Sequence, residues 1–181
     1  MAAKKTTPTW TDVKTQLSNF DQAGLVDLVR DLYAASMDTR AFLHTGLHLG
    51  NDALAPYKAT IDRWLWPDVL QQQDTSVAKA KKAIADYKRA SRTAGGLAEL
   101  MVFYCEQASG FSSDVSLDDE GYVEALVRMF GQALKAIDTL PQTQRPALLA
   151  RMNAVRQISH DIGYGVGEDM DSLLEAHGGS G

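Results

Sequence analysis

Two apolar stripes, Leu25–Tyr33 and Phe42–Leu49, are separated only by the polar joint Ser36-Met37-Asp38-Thr39. Within each, apolar side chains recur three and four residues apart, the period of one buried helix face. Two such stripes on a short joint describe an αα-hairpin. The same grammar continues almost to the C-terminus, so the chain is constrained to helices packed on helices. The pattern fixes a fold class and assigns no activity.

Read in order, Thr9 caps a first helix carrying Trp10, Val13 and Leu17, and Asp21 caps a second with Leu25, Leu28, Val29 and Leu32 inward. In each case a short polar side chain accepts from exposed first-turn amides. A third helix is expected to open at Asp38, turn Phe42, Leu43 and Leu47 inward, and end at Gly50. A fourth spans about 52–66 with Leu54, Tyr57, Ile61 and Leu65 on one face, and Pro67 removes the amide that would continue it. After the polar connector Gln71-Gln72-Gln73-Asp74, a fifth is capped by Asp74 or Thr75 and buries Val77, Ala80, Ile84 and Tyr87.

Gly95 and Gly96 mark a break before a sixth helix, Leu97 to about Ala108, that is apolar almost all round. A helix without a polar face is normally surrounded, which places this one at the centre. A loop over 110–119 leads to a seventh helix with Tyr122, Leu126, Met129, Ala133 and Ile137 inward, stopped by Pro141. An eighth opens near Pro146 and uses Leu148, Met152, Val155 and Ile162. Gly163, Gly165 and Gly167 form a joint to a last short helix, where Glu168 and Asp169 complement the helix dipole.

A chain of 181 residues with 45% hydrophobic content suits one core. The expectation is a single all-α domain over 9–176, with eight or nine helices packed as hairpins in an orthogonal bundle or a short superhelix, and flexible ends at 1–8 and 177–181. A net charge of -5 repels phosphate backbones as a whole. The lone Cys105 supplies neither an internal disulfide nor a zinc cluster and suits a reducing compartment. No apolar stretch follows Lys4 and Lys5, so no secretory signal is read, and no run reaches the roughly 18–20 apolar residues of a membrane span. A cytoplasmic location, no membrane partner and no cofactor are expected.

The hairpin from Leu25 to Phe42-Leu43-His44, the segment Ala78-Lys79-Ala80-Lys81-Lys82-Ala83-Ile84 and the joint Ile162-Gly163-Tyr164-Gly165 carry a resemblance. With these, the chain resembles a bacterial family of small helical proteins known only as a domain of unknown function, over Trp10 to about Leu174. The first hairpin is also similar to helix pairs in superhelical repeat proteins that bind other proteins. The resemblance implies an all-α fold and carries no catalytic residue.

Several constellations bear on chemistry. His44 and His48 lie four apart, on one face of a continuous helix, and Glu99 and Glu106 lie two turns apart on the central helix; together they form a candidate metal site. Against it stand the missing Glu-x-x-His and the bland alternative that both glutamates pair with Lys or Arg from neighbouring helices. Cys105, in an apolar run beside Glu106, reads as a core residue whose thiol the carboxylate pushes up, with His160 far along the chain. The run Gly163–Gly167 follows a helix and is trailed by acids, so it reads as a joint rather than a phosphate cradle.

The segment 75–92 is the one basic element, with Lys79, Lys81, Lys82, Lys88, Arg89 and Arg92 against Asp86. An acidic run, Asp114, Asp118, Asp119, Glu120 and Glu124, balances it, which disfavours nucleic acid as the partner. Trp66, at a helix stop, is an interface anchor if it stays exposed. The leading expectation is a non-enzymatic interaction module that docks a protein, or a second copy of itself, through Trp66, Lys81, Lys88 and Arg92. A metal site at His44, His48, Glu99 and Glu106 is the alternative, and nucleic-acid association through 75–92 the third.

Overall fold

Where a short polar side chain precedes an apolar stripe, a helix opens. Thr9 and Asp12 form a reciprocal capping box at the start of α1 (Trp10–Leu17). Asp21 accepts from the Gly24 amide at α2 (Gln22–Ala35), and Asp119 accepts from the Tyr122 amide at α7 (Glu120–Asp138). Each such cap stabilises its helix by about 1 kcal/mol. The computed structural model describes residues 7–50, 52–91, 93–115 and 119–178, and among them are nine α-helices, one 3-10 turn (Val69–Gln71) and no strand. Arg92 and Asp118 lie outside the described residues, as do 1–6 and 179–181 of the expected flexible ends 1–8 and 177–181, whereas His177 lies within the last helix and bonds to Asp138 at 2.8 Å.

Several boundaries differ from the sequence expectation, each for a local reason. α3 (Met37–Gly46) opens at Ser36, whose hydroxyl accepts from the Thr39 amide, so Asp38 falls inside the first turn. It ends at Gly46 rather than Gly50. The Leu49 amide bonds back to the His44 carbonyl at 2.7 Å and the His48 amide to Thr45 at 3.2 Å, with His48 in the left-handed region at φ 56°. That is a Schellman closure with histidine where glycine is usual. Ser76, not Asp74 or Thr75, caps α5 (Val77–Ala90). α6 (Ala94–Val115) takes in Gly95 and Gly96 at its start and runs through the expected loop as far as Val115.

The backbone divides into two compact units, residues 1–43 and 44–181. In the second, α4 (Ala55–Leu65) pairs with α5, α6 with α7, and α8 (Arg145–Ser159) with α9 (Val166–Gly178), so consecutive helices pack as hairpins. α6 touches α4, α5, α7 and α8, and is the central helix that its apolar composition requires. Around it Ile61, Leu65, Leu100, Leu126, Phe130 and Met152 are sealed from solvent, each worth roughly 1.5–3 kcal/mol of burial. All five inward positions read on α7 are buried. The Tyr122 hydroxyl donates to the Leu65 carbonyl at 2.7 Å, satisfying an orphan acceptor at the end of α4. Arg145 does the same for α7, donating to the Asp138 and Leu140 carbonyls.

The first unit is different. α1, α2 and the part of α3 up to Leu43 contain no buried residue. Leu25, Val29 and Leu32, expected inward, are exposed, because the unit has no further layer of its own to cover them.

Gly96 is fixed by a close approach. A β-carbon there would fall 1.8 Å from the Tyr87 hydroxyl oxygen. That ring cannot swing away cheaply, being 3% exposed, bonded to the Thr93 hydroxyl at 2.7 Å and set edge-on against Tyr57. Gly96→Ala should therefore cost about 1–3 kcal/mol. At Gly95 the added carbon meets only Gln144 at 3.6 Å, so Gly95→Ala should leave the melting temperature unchanged or raise it. Thermal melts of the two variants, differing by several degrees, are the check.

Candidate functional site

Two glutamates seven residues apart on an apolar helix need partners, and α4 and α8 provide them. Lys58 of α4 donates to Glu99 at 2.6 Å. Arg151 of α8 donates to Glu99 at 2.5 Å and grips Glu106 with two parallel bonds of 2.7 Å each. All four carboxylate oxygens thus accept from a cation. Burial alone would push the Glu99 carboxyl up; hydrogen bonds from Arg151 and Lys58 more than offset this and hold it below the ordinary carboxylate value. Arg151 is pushed above its usual value, first by its bonds to Glu106 and against the effect of burial. The Lys58 ammonium also sits 5.2 Å from the Phe103 ring centre. The cluster is charge-balanced and half-buried, a cross-brace of α4, α6 and α8.

This is the pairing that the sequence left open for Glu99 and Glu106. The structure does not gather His44 and His48 with them. His48 lies beyond the end of α3, so the four-residue spacing does not put both rings on one helical turn. Among the described residues no group of three or more His, Cys, Asp or Glu side chains is placed to hold a metal ion. Cys105 is fully buried on α6, and its thiol is pushed up by burial and, secondarily, by Glu106.

The basic helix is largely engaged. Asp86 takes Lys82 at 2.6 Å and also pairs with Arg89. Lys79 and Arg63 both lie over the Trp64 ring, 3.5 and 4.5 Å from its centre. Lys81 is half-buried, its pKa lowered by burial first and by Arg128 second. Lys88 lines a cavity of about 660 Å³ with Arg89, Thr93, Ala94 and Leu97.

Trp66 rests on the far half of α6, where a β-carbon at Gly110 would fall 2.4 Å from its ring. It is 39% exposed. With Glu106, Arg151 and Ile158 it edges a groove of about 580 Å³ between α6 and α8, which no local pattern of residues announces. Leu97 and Gly110 are about 20 Å apart along α6 at the usual helical rise. Trp66 and Lys88 therefore do not form one patch, and Arg92 lies outside the described residues.

The Gly163–Gly165 joint has three consecutive residues at positive φ, Gly163 87°, Tyr164 54° and Gly165 69°. Gly167 lies within α9, where a β-carbon would meet the His160 ring at 2.5 Å. Asp171 is held by Arg156 at 2.6 Å and by His160 at 3.2 Å. The segment is a turn at positive φ that leads into α9, and Gly167, expected in the joint, falls inside that helix. No helix among the described residues is long and apolar enough to cross a membrane.

No family model, no curated protein and no solved structure matches the chain.

Arg151 is the hub of the cross-brace. Arg151→Met should destabilise the protein more than Glu106→Gln, because it leaves the Glu106 carboxylate with no cation and Glu99 with Lys58 alone. Glu99 has a depressed pKa when folded, so its contribution is present above the unfolded value near 4.5 and is lost as pH falls through the folded one. Urea melts between about pH 7 and pH 3 should show a decline that Arg151→Met flattens.

Proposed function

We propose that this chain is a non-enzymatic helical interaction module, and that its docking surface is the apolar face of the first unit rather than the Trp66–Lys88 surface. One observation carries the reading. α2 turns Leu25, Val26, Val29, Leu32 and Tyr33 to one side, all of them exposed, while Asp27, Arg30 and Asp31 occupy the other. Val26 is 60% exposed, and Trp10 on α1 is 69% exposed. Apolar faces of this extent on a soluble chain are sites of association.

Support comes also from what the polar groups are doing. The two glutamates that a metal reading needs are held by Lys58 and Arg151. Of the cations that a nucleic-acid reading needs, Lys82 and Arg89 pair with Asp86 and Lys79 covers Trp64. Both alternatives stand behind docking for that reason.

A photo-crosslinking residue placed at Val26 of the full chain, irradiated in cells, should form a covalent adduct with another polypeptide. The same residue at Asp31, on the polar side of α2, should form far less. Equal yields at the two positions, or none at either, would refute docking through this face.

A further inference from the structure

We infer that the groove between α6 and α8 beside Trp66 binds a small organic cation, whose ammonium is held by Asp114 and whose apolar body lies on the Trp66 indole. The site belongs wholly to the second unit and is independent of the docking reading above. It begins with spacing on α6. Glu106, Gly110 and Asp114 follow one another at four-residue intervals and so share one helix face. Gly110 has no side chain, and the Trp66 ring occupies that place. The indole therefore lies between two carboxylates, each one turn, roughly 6 Å of rise, from its seat.

The two carboxylates are not equivalent. Glu106 accepts two bonds of 2.7 Å from Arg151, which also donates to Glu99, so every guanidinium nitrogen is already directed at a glutamate. Among the described residues no cation meets Asp114, which lines the same groove. The α8 side brings Ala154, Val155 and Ile158, none of them charged, and Ile158 is exposed. Nor does the last turn of α6 carry a basic residue to offset the negative end of a 22-residue helix. The groove thus offers an aromatic surface, an apolar wall and one carboxylate left for a ligand.

Chemistry then selects the occupant. An anion would face Asp114 and the negative helix end while Arg151 stays with its glutamates. A neutral apolar molecule would cover Asp114 and strip its water with nothing in return. A bare metal ion lacks ligands, since among the described residues no group of three or more His, Cys, Asp or Glu side chains converges. An ammonium on an apolar body meets both demands: it pairs with Asp114 and lies within cation–π reach of the indole. Size favours a small molecule over a helix. From Glu106 to Asp114 the face runs about 12 Å at the usual helical rise, with the Arg151–Glu106 pair at one end. The groove volume of about 580 Å³ lies in the range of small-ligand sites.

Calorimetric titration of the full chain with phenethylamine, phenethyl alcohol and phenylacetate, probes of similar shape and different charge, tests the assignment. Phenethylamine should bind with a Kd of about 1 mM or tighter, at least tenfold below that of the alcohol, and phenylacetate should bind least. Asp114→Asn should erase the amine's advantage and leave the alcohol's affinity in place. It removes an acid from a helix C-terminus, so the melting temperature should hold or rise. Trp66→Leu should weaken amine and alcohol together. Asp31→Asn, on the first unit, removes the same charge and should change nothing, which separates a built site from general attraction to an acidic chain. Equal affinity for amine and alcohol overturns the inference, as does equal weakening by Asp31→Asn and Asp114→Asn. So does the absence of saturable amine binding by about 10 mM. None of these outcomes bears on the α2 face, which its own crosslinks decide.

Discussion

The second unit depends on what α6 does with its two carboxylates. A helix sealed on four sides has nowhere to solvate Glu99 and Glu106 fully, and each would resist burial unless a cation met it. Lys58 and Arg151 meet them from α4 and α8, so the same interaction that makes burial tolerable also joins three helices. Replacing a whole buried ion network by apolar residues is often neutral for stability, whereas breaking one member is costly. The cross-brace therefore acts chiefly on register. It decides which turn of α8 lies beside which turn of α6, and the apolar contacts of Met152 and Val155 follow from that choice.

Two aromatic rings use α6 in a related way. Tyr87 comes within a carbon's width of Gly96 near its start, and Trp66 lies on Gly110 fourteen residues further along the same rod. At both places the missing side chain is what lets a large ring approach the backbone. The Tyr87 hydroxyl then reaches Thr93, and Trp66 ends α4 beside the ion cluster. Helix α6 is thus held by charge along one side and by two glycine-seated aromatics, which explains why it remains helical through glycines that sequence reasoning treats as breaks.

Much of this was legible from spacing. Asp21 as a cap, α7's five inward positions, the apolar centrality of α6 and the burial of Cys105 all followed from period and residue type. So did the pairing of Glu99 and Glu106 with neighbouring cations, though as one of two options, since no local pattern says that Arg151 arrives opposite both. What was not legible was set by tertiary contact or by one-residue choices. The continuation of α6 past Ala108 goes with Phe111 lying 6.1 Å from the Tyr122 ring centre, a partner in the next helix. The end of α3 depends on His48 accepting a left-handed conformation that its residue type does not advertise. The first of these adds two turns to a helix, and the second separates a histidine pair that simple counting had joined.

The deepest divergence between pattern and burial is in α2. Its apolar side chains recur at the same helical spacing as those of α7, yet α7 buries nine residues and α2 none. Periodicity reports that a face is apolar; it does not report whether the same chain supplies the cover. α7 has α6, α8 and α9 against it. α2 belongs to a unit too short to enclose a core, so a stripe of the same spacing is left exposed. Places where a sequence obeys every local rule and the fold still leaves the result unburied are where a protein's purpose most often lies. On α7 the stripe is folded into the core; on α2 it stays exposed, and its own unit contains nothing that buries it.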